Sequence, residues 1–189
     1  MSGKLLLVAV LCGPLVLSWS CAQTTSTRKT LDHETEIQGY HCTKGYAWLF
    51  ADGRLKRCTV ARETAFGEAT LPVGSLIALT PEGRPDLAQM THDTLVRGYR
   101  CQGGSLLGPS EGATVAFYPS GKLKELFLAN DQTVDGVPCA HGGLVSTTVH
   151  GNPSVRFNED GQMVSCRLSQ DFEGQKRGER YIRKTKQAQ

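Results

Sequence analysis

Cysteine is the residue type whose spacing in this chain points most directly to chemistry. Five cysteines follow the apolar N-terminal segment: Cys42, Cys58, Cys101, Cys139 and Cys166. Cys42, Cys101 and Cys139 each lie three residues after a glycine, whereas the other two each lie five residues after one. Two recurrent settings of this kind predict that cysteines of one set pair with cysteines of the other in an oxidising compartment.

The positions of the cysteines predict which ones pair. The first set closes units that end in a turn, and the second set lies on the second strand of a hairpin, so a closing cysteine should approach the next hairpin. We therefore predict the disulfides Cys42–Cys58 and Cys139–Cys166, with Cys101 left reduced. By loop-closure entropy each bridge would contribute about 3 kcal/mol.

An alternative places the same cysteines in an apolar core as reduced side chains. In the other two units, Ala88 and Leu126 occupy the position that Cys58 and Cys166 hold. Reduced cysteine behaves as a small apolar residue, so the four positions would then be equivalent core positions. Leu126 is also the residue that Cys101 would meet, which is why Cys101 is predicted to lack a disulfide partner.

Metal binding and nucleophilic catalysis are two further alternatives for the cysteines. His41 beside Cys42, and His141 and His150 near Cys139, are zinc-ligand types, but the chain lacks the CxxC or HxxxH spacing of structural zinc sites. Residues two apart on a strand share a face, so Cys139 and His141 could meet as nucleophile and base. A cysteine nucleophile also needs a third group that orients its base, and none is identifiable. From the missing zinc spacing and the missing third group, we predict no metal, no cofactor and no catalytic residue.

A recurrent acidic position offers another kind of ligand. Glu63, Asp93, Asp131 and Asp171 occupy one position of successive units. Calcium loops concentrate several carboxylates within about a dozen residues, whereas here each unit supplies one. We therefore predict that these carboxylates accept backbone N–H bonds in turns.

Short β-hairpins are the elements that must position all of these residues. Within Val115–Cys139, apolar residues alternate up to Phe117, and a Pro-Ser-Gly turn then ends at Gly121. The next apolar residues, Leu123 and Leu126, are three positions apart rather than two. This step predicts a β-bulge in the second strand of the hairpin.

The same pattern recurs around Gly53, Gly83 and Gly161, with turn glycines 30 to 40 residues apart. A single hairpin cannot bury an apolar face, so neighbouring units must pack together. The chain is glycine-rich, with 21 glycines, and it lacks a long amphipathic helical pattern. We therefore predict an all-β fold of repeated antiparallel β-hairpins in a meandering twisted sheet, either open or rolled.

One unit resembles a known repeat. The segment FYPSGKLKELFLANDQTVDG resembles the YxxGxLxxE…G unit of MORN-like repeats in bacterial exported and antitoxin-like proteins, and FNEDGQMVSCRLSQDFEG resembles it in part. The other two units depart from it, since Ala51-Asp52 replaces the aromatic-proline turn and Pro85 replaces the leucine. The resemblance implies stacked β-hairpins and contact with proteins or membranes, and it assigns no functional residue.

Residues 1–22 have the pattern of a signal peptide. Lys4 precedes an apolar run over residues 5–17, and the small residues that follow fit cleavage after Ala22. As an alternative, the segment that ends at Cys21 is similar to a bacterial lipobox, in which Cys21 would carry a lipid anchor. Both readings predict export.

The rest of the chain divides by composition. Residues 23–30 are polar and lack an apolar pattern, which predicts a flexible tether. We expect the β-hairpin repeat domain over residues 31–182 and a basic disordered tail over residues 183–189. No segment after the signal is apolar enough to cross a membrane, so no span is expected.

Charge and loop composition indicate the expected partners. The net charge is +3, with most of the excess in the tail, and for an exported protein we expect no nucleic-acid partner. We expect a secreted or periplasmic protein, or an outer-membrane lipoprotein if Cys21 is acylated. It would bind a protein or envelope partner, without catalysis, through its exposed sheet face and its glycine-rich loops 102–112 and 140–151.

The alternative function is a small-ligand-binding protein or hydrolase. Its site would lie in the interior of a rolled sheet near Cys139 and His141. A polar cavity at these residues would favour this alternative, whereas an open sheet would favour the binding module. The sequence gives no basis for an oligomeric state.

Overall fold

The computed structural model describes residues 26–104, 114–142 and 153–184, and in these ranges all regular secondary structure is β. The strands within these ranges are β1 Ser26–Leu31, β2 Thr35–Ile37, β3 Tyr40–Cys42, β4 Gly45–Phe50, β5 Leu55–Thr59, β6 Thr64–Phe66, β7 Ala69–Leu71, β8 Leu76–Leu79, β9 Pro85–Gln89, β10 Thr94–Val96, β11 Tyr99–Cys101, β12 Thr114–Phe117, β13 Leu123–Leu126, β14 Gln132–Val134, β15 Val137–Cys139, β16 Val155–Phe157, β17 Met163–Arg167 and β18 Arg180–Ile182.

Ten of these strands form one antiparallel sheet in the order β1-β4-β5-β8-β9-β12-β13-β16-β17-β18. The other eight form four two-stranded hairpins, β2–β3, β6–β7, β10–β11 and β14–β15, which we call the cover hairpins. Each cover hairpin lies in the sequence between two strands that pair in the large sheet, as β6–β7 lies between β5 and β8. Over the described ranges the sheet is open, with β1 and β18 at its two ends. The predicted all-β meander of antiparallel hairpins is confirmed.

The four predicted turn glycines, Gly53, Gly83, Gly121 and Gly161, occupy matching bends between paired strands. In each bend the glycine N–H donates to the carbonyl three residues earlier, at 2.8 to 2.9 Å. The backbone N–H of the residue three positions before the glycine donates to the carbonyl of the residue that follows the glycine, also at 2.8 to 2.9 Å. All four glycines have φ between 79° and 85°, a left-handed conformation that residues with a Cβ adopt at a cost.

A β-bulge follows each of these bends, as the apolar spacing predicts. In the third hairpin Ala116 lies opposite Glu125 and Phe117 lies opposite Leu123, which leaves Lys124 without a partner. The same register shift occurs in the hairpins β4–β5, β8–β9 and β16–β17. Each large-sheet hairpin therefore keeps its apolar side chains on one face despite the three-residue step.

The cover hairpins are not predicted as separate hairpins from the sequence. Their residues, which end each unit at a closing cysteine or its equivalent, are short segments that we call returns. Three of them have positive φ at both turn residues: Gln38-Gly39, Arg97-Gly98 and Asp135-Gly136. Positive φ at both positions defines the type I′ turn that two-residue hairpin loops favour. The fourth cover hairpin, β6–β7, has Gly67 and Glu68 in its turn.

Turn side chains of the cover hairpins tie them to the large sheet. Gln38 Oε1 accepts the backbone N–H of Leu55 at 2.8 Å, and Asp135 Oδ2 accepts that of Met163 at 2.7 Å. In both cases the donor follows a turn glycine by two residues. These side chains therefore satisfy backbone donors next to the bulges, which the sheet pairing leaves free.

The core lies between the cover hairpins and one face of the large sheet. Phe66 of a cover hairpin packs edge-to-face on Phe117 of the sheet, with ring centroids 5.4 Å apart, and Tyr99 stacks on Phe157 at 5.8 Å. The most buried large side chains come from both layers: Leu55, Val60, Phe66, Leu71, Ile77, Val96, Leu123, Leu126, Leu128, Phe157, Met163 and Leu168. Each hairpin thus buries its apolar side only against its neighbours.

The N-terminal boundary differs from the predicted one. Residues 26–30, predicted as part of a tether over 23–30, belong to β1, which pairs with β4 over its whole length. An edge strand needs only one partner, and the side chains before Leu31 are exposed, so a polar sequence is compatible with this position. The sheet therefore begins before the expected domain start at residue 31.

At the C-terminus, strand pairing extends into the predicted tail, whereas the predicted export signals are not covered by the structure. Arg183, at the start of the predicted tail, donates its backbone N–H to the Val164 carbonyl at 2.8 Å, so the pairing of β18 continues into it. Residues 185–189, the predicted signal over residues 1–22 and Cys21 lie outside the described residues. Within the described ranges, no helix is long and apolar enough to cross a membrane.

Candidate functional site

Both predicted disulfides are present. Cys42 is bonded to Cys58, with Cα atoms 5.8 Å apart, and Cys139 to Cys166, with Cα atoms 5.7 Å apart. All four residues are buried. Since its sulfur is bonded to Cys166, Cys139 has no thiolate with which to attack a substrate or bind zinc in this state. The chemistry considered for a Cys139–His141 pair is therefore not available here.

The backbone pairing explains this choice of partners. Cys42 forms an isolated bridge with Val60, and Cys139 forms one with Leu168, in each case two residues beyond the disulfide partner. Cys101 forms the equivalent bridge with Leu128. The position that would hold its disulfide partner is therefore that of Leu126, as the sequence analysis predicts.

Cys101 is the free cysteine of the described residues. Its side chain is buried, and burial raises the pKa of its thiol to about 12. The thiol is therefore protonated at neutral pH and lacks the thiolate character that reactive cysteines need.

The recurrent carboxylates act mostly as backbone acceptors, as predicted. Asp93 accepts the backbone N–H of Gly103 at 3.1 Å, and Asp171 accepts that of Arg177 at 2.9 Å. Asp131 accepts the backbone N–H of His141 at 2.9 Å. Asp93 and Asp131 each accept from a residue ten positions later, beyond the cover hairpin that follows them, and Asp171 from a residue six positions later. Glu63 makes no equivalent bond within the described part of the chain.

His141 and Asp131 form the most polar contact near the second disulfide. The imidazole Nδ1 lies 2.6 Å from Asp131 Oδ1, and the same oxygen accepts the backbone N–H of His141. These bonds, the backbone one first, hold the pKa of Asp131 below its ordinary value. His141, which the sequence offers with Cys139 only as an alternative nucleophile–base pair, is thus oriented by a carboxylate and not by a thiol.

An open cleft lies beside this pair. Its volume is about 250 Å³, and it is lined by residues from three places in the sequence: Asp131, Ala140, His141, Arg167, Leu168, Ser169, Arg177 and Gly178. Spacing along the chain does not predict this cleft, because nothing in the sequence indicates that Arg177 lies near Asp131 and His141. We call it the Arg167–Arg177 cleft.

The face of the large sheet that points away from the core carries a continuous row of side chains. One residue from each of the ten strands lies in register with the next, and we call these ten residues the outer row: Arg28, Trp48, Arg57, Ala78, Leu87, Ala116, Glu125, Arg156, Ser165 and Ile182. Their neighbours in the sequence, such as Ala47, Ile77 and Ala88, belong to the core. Successive strand residues point to opposite faces, so the outer row lies on the other one.

The composition of the outer row varies along its length. The side chains from Trp48 to Ala116 in this row are half-buried, and apart from Arg57 they are apolar. The Arg57 guanidinium lies 5.4 Å from the centroid of the Trp48 ring. At the other side of the apolar segment, Arg156 Nε lies 3.1 Å from Glu125 Oε1. The row is therefore an apolar strip with charged groups on both sides.

The two predicted contact loops are described only at their ends. Residues 105–112 and 143–151 of these loops lie outside the described residues. The backbone N–H of Gly104 donates to Met90 at 2.8 Å, and that of Ala140 donates to Arg167 at 2.7 Å. The described ends of both loops are thus held by backbone hydrogen bonds.

Comparison of the chain with protein-family models, with curated proteins and with solved structures gives no match.

Proposed function

We propose that this chain is an exported, non-catalytic binding module whose outer row contacts a protein or another component of the cell envelope. The observation that carries the proposal is the unbroken register of the outer row across ten strands. At about 4.8 Å per strand, such a row is about 45 Å long. The apolar part of the row, from Trp48 to Ala116, covers five strands and about 20 Å, with Arg57 within it and charged groups on both sides. A strip of this kind suits an extended partner surface.

Two other observations support export and binding. Two disulfides are consistent with an extracellular or periplasmic location, because the cytosol keeps most thiols reduced. The resemblance of the unit around Gly121 to MORN-like repeats also suggests contact with proteins or membranes. Anchoring through a lipid on Cys21 would place the module at a membrane surface and remains part of this proposal.

The test compares variants on the two faces of the protein. Trp48→Ala combined with Leu87→Ser removes apolar contacts of the outer row, while Leu95→Ser changes an exposed leucine on a cover hairpin. We expect the mature chain, immobilised and exposed to envelope extracts, to retain a specific partner that the double variant loses and the Leu95 variant keeps. Capture of the same partner by all three proteins would contradict the proposal.

The folded state of the variants must be checked in parallel. Trp48 and Leu87 are half-buried, so circular dichroism and thermal melting of the double variant should show an intact fold before capture is compared. A second double variant, Arg28→Gln with Arg57→Gln, changes the cations of the same row without removing apolar area. Weaker capture by this variant at low salt would show that the cationic side of the strip takes part in binding.

A further inference from the structure

The Arg167–Arg177 cleft has an excess of positive charge. Arg167 and Arg177 line it, and both side chains are exposed. Neither guanidinium forms an ion pair with another described residue. The one carboxylate of the lining, Asp131, already accepts two N–H bonds from His141. Asp131 also attracts Arg177 electrostatically, so the lining of the cleft holds two arginines against one carboxylate.

Strand pairing places a third cation beside Arg167. Arg180 of β18 lies directly opposite Arg167 of β17. Like charges at directly opposite positions of an antiparallel pair destabilise the sheet. The two arginines are exposed, and the described residues supply no ion pair for Arg180. An anion bound beside Arg167 would relieve this repulsion.

The remaining polar groups of the cleft define the chemistry of the anion. The backbone N–H groups of Ser169 and Gly178 are already used, since they donate to Pro138 at 3.0 Å and to Leu168 at 2.9 Å. Donors must therefore come from side chains, namely the guanidinium groups and the Ser169 hydroxyl. Guanidinium groups match tetrahedral oxyanions with paired N–H bonds.

We infer that the Arg167–Arg177 cleft binds a phosphate group, with Arg167 and Arg177 as its main ligands and with the Ser169 hydroxyl as an additional donor. A volume of about 250 Å³ holds a phosphate together with part of the molecule that it esterifies. The phosphate belongs either to a soluble phosphate ester or to the headgroup of an anionic lipid. Arg167 lies two residues from Ser165 of the outer row on β17, and the inference does not depend on the function proposed for that row.

The first experiment titrates the mature, disulfide-bonded chain with inorganic phosphate and with glycerol phosphate, followed by two-dimensional NMR. We expect saturable shifts of the amides of residues 139–141 and 167–178. Arg167→Gln and Arg177→Gln should each weaken binding about tenfold, since each removes charge-assisted hydrogen bonds. The control Arg84→Gln removes the same charge from an exposed turn of the second hairpin and should leave binding unchanged.

The second experiment distinguishes the two sources of phosphate. Flotation with phosphatidylglycerol vesicles is compared with flotation with phosphatidylcholine vesicles, with and without glycerol phosphate as competitor. Binding to the anionic vesicles that glycerol phosphate displaces, and that Arg167→Gln abolishes, identifies a lipid headgroup. Saturable binding of glycerol phosphate without vesicle binding identifies a soluble ester.

Two results would overturn the inference. The first is an absence of saturable shifts up to about 50 mM phosphate, which corresponds to an affinity too weak for a built site. The second is an equal loss of binding in Arg167→Gln and Arg84→Gln, which would indicate general attraction by net charge. All variants carry exposed substitutions, and unchanged thermal melting would show that they are folded.

Discussion

At the scale of single residues, Cys101 shows how one side chain decides whether a unit is cross-linked. It has the same backbone setting as Cys42 and Cys139, with an isolated bridge to a residue just beyond the end of a strand of the large sheet. Leucine stands at position 126, where the equivalent units have cysteine. The buried thiol therefore packs as an apolar group.

The first prediction follows from this equivalence. Leu126→Cys should form a third disulfide with Cys101, because the backbone there repeats the geometry that holds the native bridges about 6 Å apart at their Cα atoms. Peptide mapping without reduction should show the linked pair and the loss of the free thiol. Leu123→Cys is the matched control, since Leu123 is equally buried on the same strand. Two reduced thiols in the Leu126→Cys protein would contradict the equivalence.

The second prediction concerns the acid side of the stability curve. Hydrogen bonds from His141 hold the pKa of Asp131 below its ordinary value, and the nearby Arg177 acts in the same direction. A lowered folded-state pKa stabilises the protein above the unfolded-state value of about 3.9, and this stability is lost as pH falls through the folded-state value. Asp131→Asn should therefore lower the melting temperature at pH 6, and this difference should shrink as pH falls below about 3.9 and through the lowered folded-state pKa.

The control for this prediction is Asp160→Asn. Asp160 is exposed and accepts no hydrogen bond from another described residue. Its removal should leave the melting temperature nearly unchanged at both pH values. Because the side chain of Asp131 is 45% exposed, solvent screening keeps the effect of Asp131→Asn small. A difference between wild type and Asp131→Asn that is constant with pH would contradict the assignment.

At the scale of elements, the fold depends on the contact between each cover hairpin and the large sheet. The turn of β6–β7 lies against the turn of β12–β13, where Glu68 accepts the backbone N–H of Leu123 at 2.9 Å. The backbone N–H of Glu68 also donates to the carbonyl of Gly121 at 3.0 Å. These two turns are far apart in the sequence, so a change in their contact measures how the cover hairpins pack on the large sheet.

The third prediction uses two glycines to measure this contact. Gly53 and Gly67 both have positive φ, so replacement by alanine costs about 1–2 kcal/mol of conformational strain at either position. A Cβ at Gly67 would also lie 2.7 Å from Phe117 Cδ1, whereas one at Gly53 would meet nothing within 4 Å. Gly67→Ala should therefore destabilise the protein by about 1–3 kcal/mol more than Gly53→Ala. Urea unfolding of both variants gives the comparison, and equal losses would contradict the packing.

At the scale of the whole molecule, stability is spread over an open array of neighbouring units. The disulfides lie near the two ends of this array, with Cys42–Cys58 joining β3 to β5 and Cys139–Cys166 joining β15 to β17. In arrays of this kind each unit contacts mainly its neighbours, so the loss of one cross-link acts locally. Each bridge contributes about 3 kcal/mol through loop-closure entropy.

The fourth prediction is that reduction loosens the two ends of the array more than its middle. With dithiothreitol present, hydrogen exchange should accelerate in β2–β5 and in β14–β17, while β8–β13 should change less. Hydrogen exchange read by mass spectrometry resolves these segments. The variants Cys42→Ala with Cys58→Ala, and Cys139→Ala with Cys166→Ala, should each affect one end. Uniform acceleration over the whole chain would indicate one cooperative unit and contradict this picture.

The sequence by itself determined the features that depend on residues close together in the chain. Turn glycines, the three-residue apolar step and the position of cysteines after glycines are local, and they predict the four bends, the bulges and both disulfides. Backbone sterics and strand periodicity act over a few residues, so sequence spacing reads them directly. A closing cysteine and the second strand of the next hairpin are also near each other in the sequence, so the disulfide partners can be inferred.

The tertiary structure alone decided what depends on packing between distant segments. The returns pair as separate cover hairpins, the polar residues 26–30 join the sheet edge, and the sheet stays open over the described ranges. His141, Arg167 and Arg177 share one cleft only because three elements meet there. Spacing along the chain does not encode which elements meet, since that choice follows from the burial of apolar faces shared by many units.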